Sequence, residues 1–71
     1  MLTYSVVVVI DNDFDDVELV LQIYSNEVAA KEHEKFVEDN LCYVDGNQWD
    51  YVFIRETLIA DEFVKGEWYD I

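Results

Sequence analysis

The densest run of chemistry-capable side chains is Asp11-Asn12-Asp13-Phe14-Asp15-Asp16. Its acids at the first, third and fifth positions match the opening of a calcium-binding EF-hand loop. The match then ends. The sixth position, where glycine permits the sharp turn, is Asp16, and the twelfth, which requires a bidentate glutamate, is Gln22. The flanks read as strands, whereas an EF-hand needs helices. The run therefore reads as a solvated hairpin loop or as an acidic prong for a partner, and no metal site is expected.

The remaining reactive groups are sparse. Cys42 is the single cysteine and His33 the single histidine. An intrachain disulfide is excluded, and the thiol reads as a buried or half-buried side chain in a reducing compartment. Nothing in the spacing supports a Cys-His dyad, and zinc would need more Cys and His than these. Gly46 and Gly66 are the only glycines, so no glycine-rich loop can cradle a phosphate. Paired carboxylates can do acid-base work. With 17 Asp and Glu in 71 residues, however, such pairs arise at almost any spacing by chance. A chain this short also leaves little room for a concave pocket. The expectation is a protein that is not an enzyme and takes no cofactor.

Trp49, Trp68 and five tyrosines raise the question of base stacking. Stacking on nucleic acid needs a basic surface around the aromatics. Here the surroundings are acidic and would repel DNA or RNA, so direct nucleic-acid binding is not expected.

These side chains need elements to hold them. Thr3 to Ile10 is β-branched and reads as a buried strand. Val17 to Tyr24 alternates: Val17, Leu19, Leu21 and Ile23 point one way, and Glu18, Val20, Gln22 and Tyr24 the other. The six-residue acidic connection makes the two a hairpin. Ser25 or Asn26 can cap a helix running to about Leu41, with Val28, Ala29, Glu32, Phe36, Val37 and Leu41 near helical spacing. Glu27 with Lys31, and Lys35 with Asp39, fall at i,i+4 spacing. Asp45-Gly46-Asn47 is a turn. Trp49 to Leu58 is the third strand, with Val52 and Ile54 on one face and Tyr51, Phe53 and Arg55 on the other. Residues 59 to 71 read as a short helix, a turn with a fourth strand, or both.

The expected fold class is α+β: a small antiparallel sheet in the order β-β-α-β, one helix on one face, and one domain spanning 1–71. Half the residues are hydrophobic (52%) and 15% are aromatic, which favours a folded domain despite the charge. A chain of this length buries a modest share of its surface, so its stability should be marginal. No membrane span or signal peptide is apparent: Met1 to Ile10 lacks a basic leader and is ended by Asp11. The expected location is the cytoplasm, a host bacterial cytoplasm for a viral chain. One face poses a problem. Val7, Val9, Val20, Tyr24, Tyr51 and Phe53 do not all fit on the helix side. If the second face is open, it is a larger apolar patch than a monomer usually exposes. Either the Trp68-Tyr69 tail or another chain would cover it, and a homodimer through Val7, Val9, Val20, Tyr51 and Phe53 is the preferred solution.

The charge is the remaining signal. The formal net charge is -13, beyond the magnitude of about 2 to 8 that suffices for solubility of a small domain. The acids are spread over every segment, unlike a terminal acidic tail. Duplex DNA carries one charge per about 1.7 Å of axis, so thirteen charges correspond to roughly 22 Å of duplex. A compact chain of this length has a radius of gyration of about 11 Å, which would give it a comparable linear charge density. Carboxylates also accept the bidentate arginine contacts that phosphates do.

In length, charge excess and acidic clusters such as DNDFDD (11 to 16) and VEDN (37 to 40), the chain resembles the small acidic proteins by which bacteriophages imitate DNA. It looks most similar to the phage-encoded inhibitors of the bacterial nucleoid protein HU. The resemblance covers the whole chain as one of class and size, without an alignable motif. It implies binding to the basic DNA-contacting surface of a host nucleoid-associated protein, competition with DNA and disturbance of chromosome organisation. The acids that would meet such a partner are Asp11, Asp13, Asp15, Asp16 and Glu18 on the first hairpin, Asp45 and Asp50 around the turn, and Asp61, Glu62, Glu67 and Asp70 in the tail. A second resemblance, carried by IYSNEVAAKEHEKF (23 to 36), is to small β-β-α-β domains of phages and bacteria, and it bears on fold alone. Two other functions stay open: an interaction module working through the apolar sheet face, and an inhibitor of a host RNA polymerase or nuclease.

Overall fold

The computed structural model describes residues 1–11 and 15–60. Its elements are β1 (Leu2–Ile10), β2 (Val17–Tyr24), α1 (Glu27–Asn40), β3 (Tyr43–Val44), β4 (Asn47–Gln48) and β5 (Tyr51–Leu58). The fold is an α+β arrangement with the expected β-β-α-β order, to which β3 and β4 add a small hairpin. β1 begins one residue earlier than its β-branched run suggested, and β5 begins at Tyr51, two residues after Trp49.

β1 is the central strand of the sheet β2-β1-β5 and is antiparallel to both neighbours. Its valine run suits burial on both faces. Val6, Val7 and Val8 are fully buried and Val9 nearly so. Beyond β5 the pairing continues: the Ile59 amide donates to the Met1 carbonyl at 2.7 Å, and the Met1 ammonium donates to the Ile59 carbonyl at 2.7 Å. β2 and β5 run the same way on either side of β1, and α1 lies in the connection between them.

The β1–β2 register carries one correction. It runs Ser5↔Ile23 and Val6↔Gln22, then steps to Val7↔Val20 and Val8↔Leu19. Leu21 is the extra residue of a β-bulge, and a bulge reverses which face later side chains occupy. The alternation expected for Val17, Leu19, Leu21 and Ile23 therefore breaks. Leu19, Leu21 and Tyr24 pack against the helix-side core, while Ile23 is left 54% exposed. Tyr24 accordingly leaves the set expected on the second face.

Asn26 caps α1 with extended backbone, and its side-chain carbonyl accepts from the Val28 amide at 2.8 Å. Leu41 closes the other end, its amide donating to the Val37 carbonyl at 3.1 Å. The buried stripe matches the expected one at Val37, with Ala29 and Leu41 half-buried, and differs at the other positions. Ala30 and Val37 are buried, with His33, Glu34 and Leu41 half-buried beside them. Val28, Glu32 and Phe36 face solvent instead. Ala30 and Val37 thus form the side of the helix that packs in the core with Val6, Val8 and Val52. Glu27 pairs with Lys31 at 2.8 Å as the spacing suggested. Among the described residues, Lys35 and Asp39 form no ion pair.

The core joins Val6, Val8, Ala30, Val37, Val44 and Val52, with Tyr4, Ile10, Trp49 and Ile54 among the half-buried side chains around it. Val44 reaches it from the β3–β4 hairpin. Asp45 (φ 51°) and Gly46 (φ 76°) form the two-residue turn of that hairpin. Positive φ at both positions is the type I′ geometry, for which Asp-Gly is a favoured pair.

Candidate acidic interface

The structure places the described carboxylates at the surface. All are exposed except Glu34, which is half-buried. Asp11 follows the last residue of β1, and Asp15 and Asp16 precede β2. Asp45 sits at the tip of the β3–β4 hairpin. Asp13, Asp61, Glu62, Glu67 and Asp70 lie outside the described residues.

Two acids far apart in sequence are brought together. Asp11 and Asp50 line one shallow, open depression with Gln48 and Trp49. The main chain fixes this arrangement. The Asp50 amide donates to the Val9 carbonyl at 2.8 Å, holding the start of β5 against the end of β1. The Trp49 indole Nε1 donates to the Leu41 carbonyl at 3.0 Å, anchoring the ring to the end of the helix.

Glu18 has a different environment. It forms an ion pair and hydrogen bond with Arg55, which projects from β5 on the far side of β1. Both partners are about half exposed, so the pair is worth less than about 1 kcal/mol. Arg55 also stands over the Phe53 ring at 5.2 Å from its centroid, and Phe53 neighbours Tyr51 with ring centroids 6.0 Å apart. Among the described acids of the set, Glu18 is the one with a compensating cation beside it.

The apolar residues of the second face fall into one patch. Val7 lies opposite both Val20 and Phe53, and Val9 opposite Tyr51. Val7 and Val9 are buried, Phe53 is half-buried, and Val20 and Tyr51 are 48% and 50% exposed. The six valines and aromatics grouped from the sequence reduce to these five once the bulge sends Tyr24 to the other side.

The helix supplies acids that the candidate set omitted. Glu32, Glu38 and Asp39 are exposed, and no basic residue accompanies the last two in the final turn. A signal was present in the sequence: acids at a helix C-terminus oppose the helix dipole and need a reason other than stability. The Lys31 ammonium titrates above its ordinary value. Its hydrogen bond to the Glu27 carboxylate, then the charge of Glu27, raise its pKa above 10.5.

Cys42 is exposed in the connection between α1 and β3, which corrects the expectation of a buried or half-buried thiol. The segment leaves the helix before reaching the core, and Leu41 and Val44 take the inward positions on either side. Among the described residues, no helix is long and apolar enough to cross a membrane.

Comparison with protein-family models, curated proteins and solved structures finds no significant match.

Proposed function

We propose that this domain is a DNA-mimicking inhibitor. It would occupy the basic DNA-binding surface of a host nucleoid-associated protein of the HU type and so exclude DNA. The observation that carries this reading is the placement of acids where stability disfavours them. Glu38 and Asp39 stand at the negative end of α1 without a cation in that turn, and exposed carboxylates occur on β2, α1 and the connecting turns. Of the cations on the described residues, Lys31 and Arg55 are each held by an acid of the chain itself. A surface of this kind steers basic partners electrostatically, giving fast and salt-sensitive association.

The shape qualifies the charge comparison. The Cα radius of gyration is 15.3 Å, above the value of about 11 Å for a compact chain of this length. The charge is therefore more dilute than that of duplex DNA, and recognition would rest on selected carboxylates more than on matched linear density.

The test is competition. Purified protein is added to a preformed complex of HU and a labelled DNA duplex at low salt. Release of DNA, weakening as salt rises, supports the reading. DNA that stays bound under excess protein removes HU as the target.

A second reading is favoured by the patch at Val20, Ile23 and Tyr51, each about half exposed. There the domain is an interaction module, or a homodimer, that binds through the second sheet face while its acids provide solubility. It predicts binding with little salt dependence and sensitivity to change at Tyr51 or Phe53.

A further inference from the structure

We infer that the Arg55–Glu18 ion pair is a strap that holds the second sheet face shut, which makes that face a latent apolar interface. The inference deepens the reading of this face as an interaction surface. The register places the pair. Val6 and Val8 join the helix-side core, so Ser5, Val7 and Val9 of β1 point to the other face. Arg55 lies opposite Ser5 on β5, and Glu18 lies opposite Val9 on β2. Residues opposite each other in a ladder share a face. Both charges therefore stand on the second face, on either side of β1. The line that joins them crosses β1 at the level of Val7. The Arg55 side chain leans the same way: its guanidinium carbon is 5.2 Å from the centre of the Phe53 ring, and Phe53 is the β5 partner of Val7.

Burial follows this path. Val7 and Val9 are 0% and 2% exposed, whereas Val20 and Tyr51 on the flanking strands are about half exposed. An arginine covers apolar surface with its stem while its head stays in water, and both charged side chains keep nearly half their surface exposed. The pair also differs from the other ion pair of the described residues. Glu27 and Lys31 stand one turn apart on a single helix, while Arg55 and Glu18 join two strands that do not touch each other. A half-exposed ion pair favours its closed geometry by about fivefold at most. The strap is therefore weak enough to open, and loss of either charge uncovers Val7 and Phe53.

The test titrates the full chain with Nile red, a neutral dye for apolar surface, at one low ionic strength, and follows its mass by sedimentation equilibrium. Glu18→Gln is isosteric, and Arg55→Met keeps most of the stem. The two substitutions change the net charge in opposite directions, so a shared response belongs to the pair and not to the overall charge. Each should raise dye binding by about three- to fivefold as the closed population is lost. The dye should shift the 15N-labelled amides of Val7, Val9 and Phe53 while the rest of the spectrum stays in place. The double variant should add little to the stronger single one, because both remove the same contact. Glu18→Arg combined with Arg55→Glu rebuilds the pair in reverse and should return dye binding to the wild-type level. Dye binding unchanged in both single variants, responses of opposite sign that track net charge, or a reversed pair that binds dye as the single variants do would overturn the inference. Self-association of the wild-type chain through this face, with the pair intact, removes the strap and leaves the face as an interaction surface. The expected dye response without self-association of either single variant keeps the strap and removes the homodimer.

Discussion

The Tyr24 hydroxyl and His33 Nδ1 meet at 3.0 Å, with the two rings edge to face at a centroid distance of 5.8 Å. This contact ties the last residue of β2 to the middle of α1. The hydroxyl donates when Nδ1 carries no proton. Tyr24→Phe keeps the ring and removes the hydrogen bond. It should cost about 1 kcal/mol, the net worth of a typical hydrogen bond of this kind. The measurement is the urea midpoint, with an unchanged slope showing that the fold is kept.

The two tight local signals can be tested together. Asn26→Ala removes the cap on Val28 and should destabilise by about 1 kcal/mol. Gly46→Ala meets open space but forces a side chain onto a backbone at φ +76°, which should cost about 1 kcal/mol. The sites lie at the helix start and at the β3–β4 turn and share no contact. Their effects in the double variant should add within about 0.5 kcal/mol.

The Glu27–Lys31 pair predicts a pH dependence confined to alkali. The folded pKa of Lys31 is raised above 10.5. Its stabilising contribution is therefore complete below 10.5 and is lost as pH rises through the folded value. The helical circular dichroism of the wild type and of Lys31→Met should differ at neutral pH and converge in strong alkali. A difference that persists there would assign the effect of residue 31 to something other than its charge.

Glu38 and Asp39 separate stability from function. Glu38→Gln with Asp39→Asn removes two charges from the negative end of α1. Stability should rise by about 0.5 kcal/mol or more, while displacement of DNA from HU weakens. Paired urea denaturation and competition measurements check both signs. Stabilisation with undiminished competition would take these two acids out of the interface.

On the face away from the helix, Val7→Ala should be as costly as a substitution in the helix-side core, at about 2 kcal/mol or more for a fully buried valine. Val20→Ala, its exposed neighbour across the ladder, should change stability by less than about 0.5 kcal/mol in the monomer. A large cost at Val20 that grows with protein concentration would point to a second copy on this face.

Much of the fold was legible because its signals are local. The Val6–Val9 run, the helix cap and the Asp45-Gly46 turn each act within a few residues; the run and the turn appear where the sequence placed them, and the cap, open between Ser25 and Asn26, falls on Asn26. What escaped depends on contacts distant in sequence. The bulge at Leu21 exists only in the pairing of β1 with β2, so strict alternation misassigned Ile23 and Tyr24. In the helix stripe Val37 and Leu41 were legible, but Val28 and Phe36 are more apolar than Ala30, and which of these faces the core is set by how the helix sits on the sheet. The candidate site behaved alike. The acids could be counted from the sequence, but the convergence of Asp11 and Asp50 comes from antiparallel pairing of β1 with β5, and the anchoring of Trp49 from the position of the helix end. Cys42 was misplaced because its neighbours Leu41 and Val44 take the inward positions.

The central position of β1 leaves β2 and β5 as outer strands, and among the described residues neither has a neighbour on its far side. Each presents a row of backbone groups that a second molecule can extend. Their sequences contain no proline, and no lysine guards either edge. Mutual repulsion between molecules of net charge -13 supplies that protection instead. The same carboxylates that would draw in a basic partner thus act as an electrostatic barrier to strand-by-strand growth. That barrier collapses near the isoelectric point of about 4.1, where mild acid should convert a dispersed protein into a sheet-forming one.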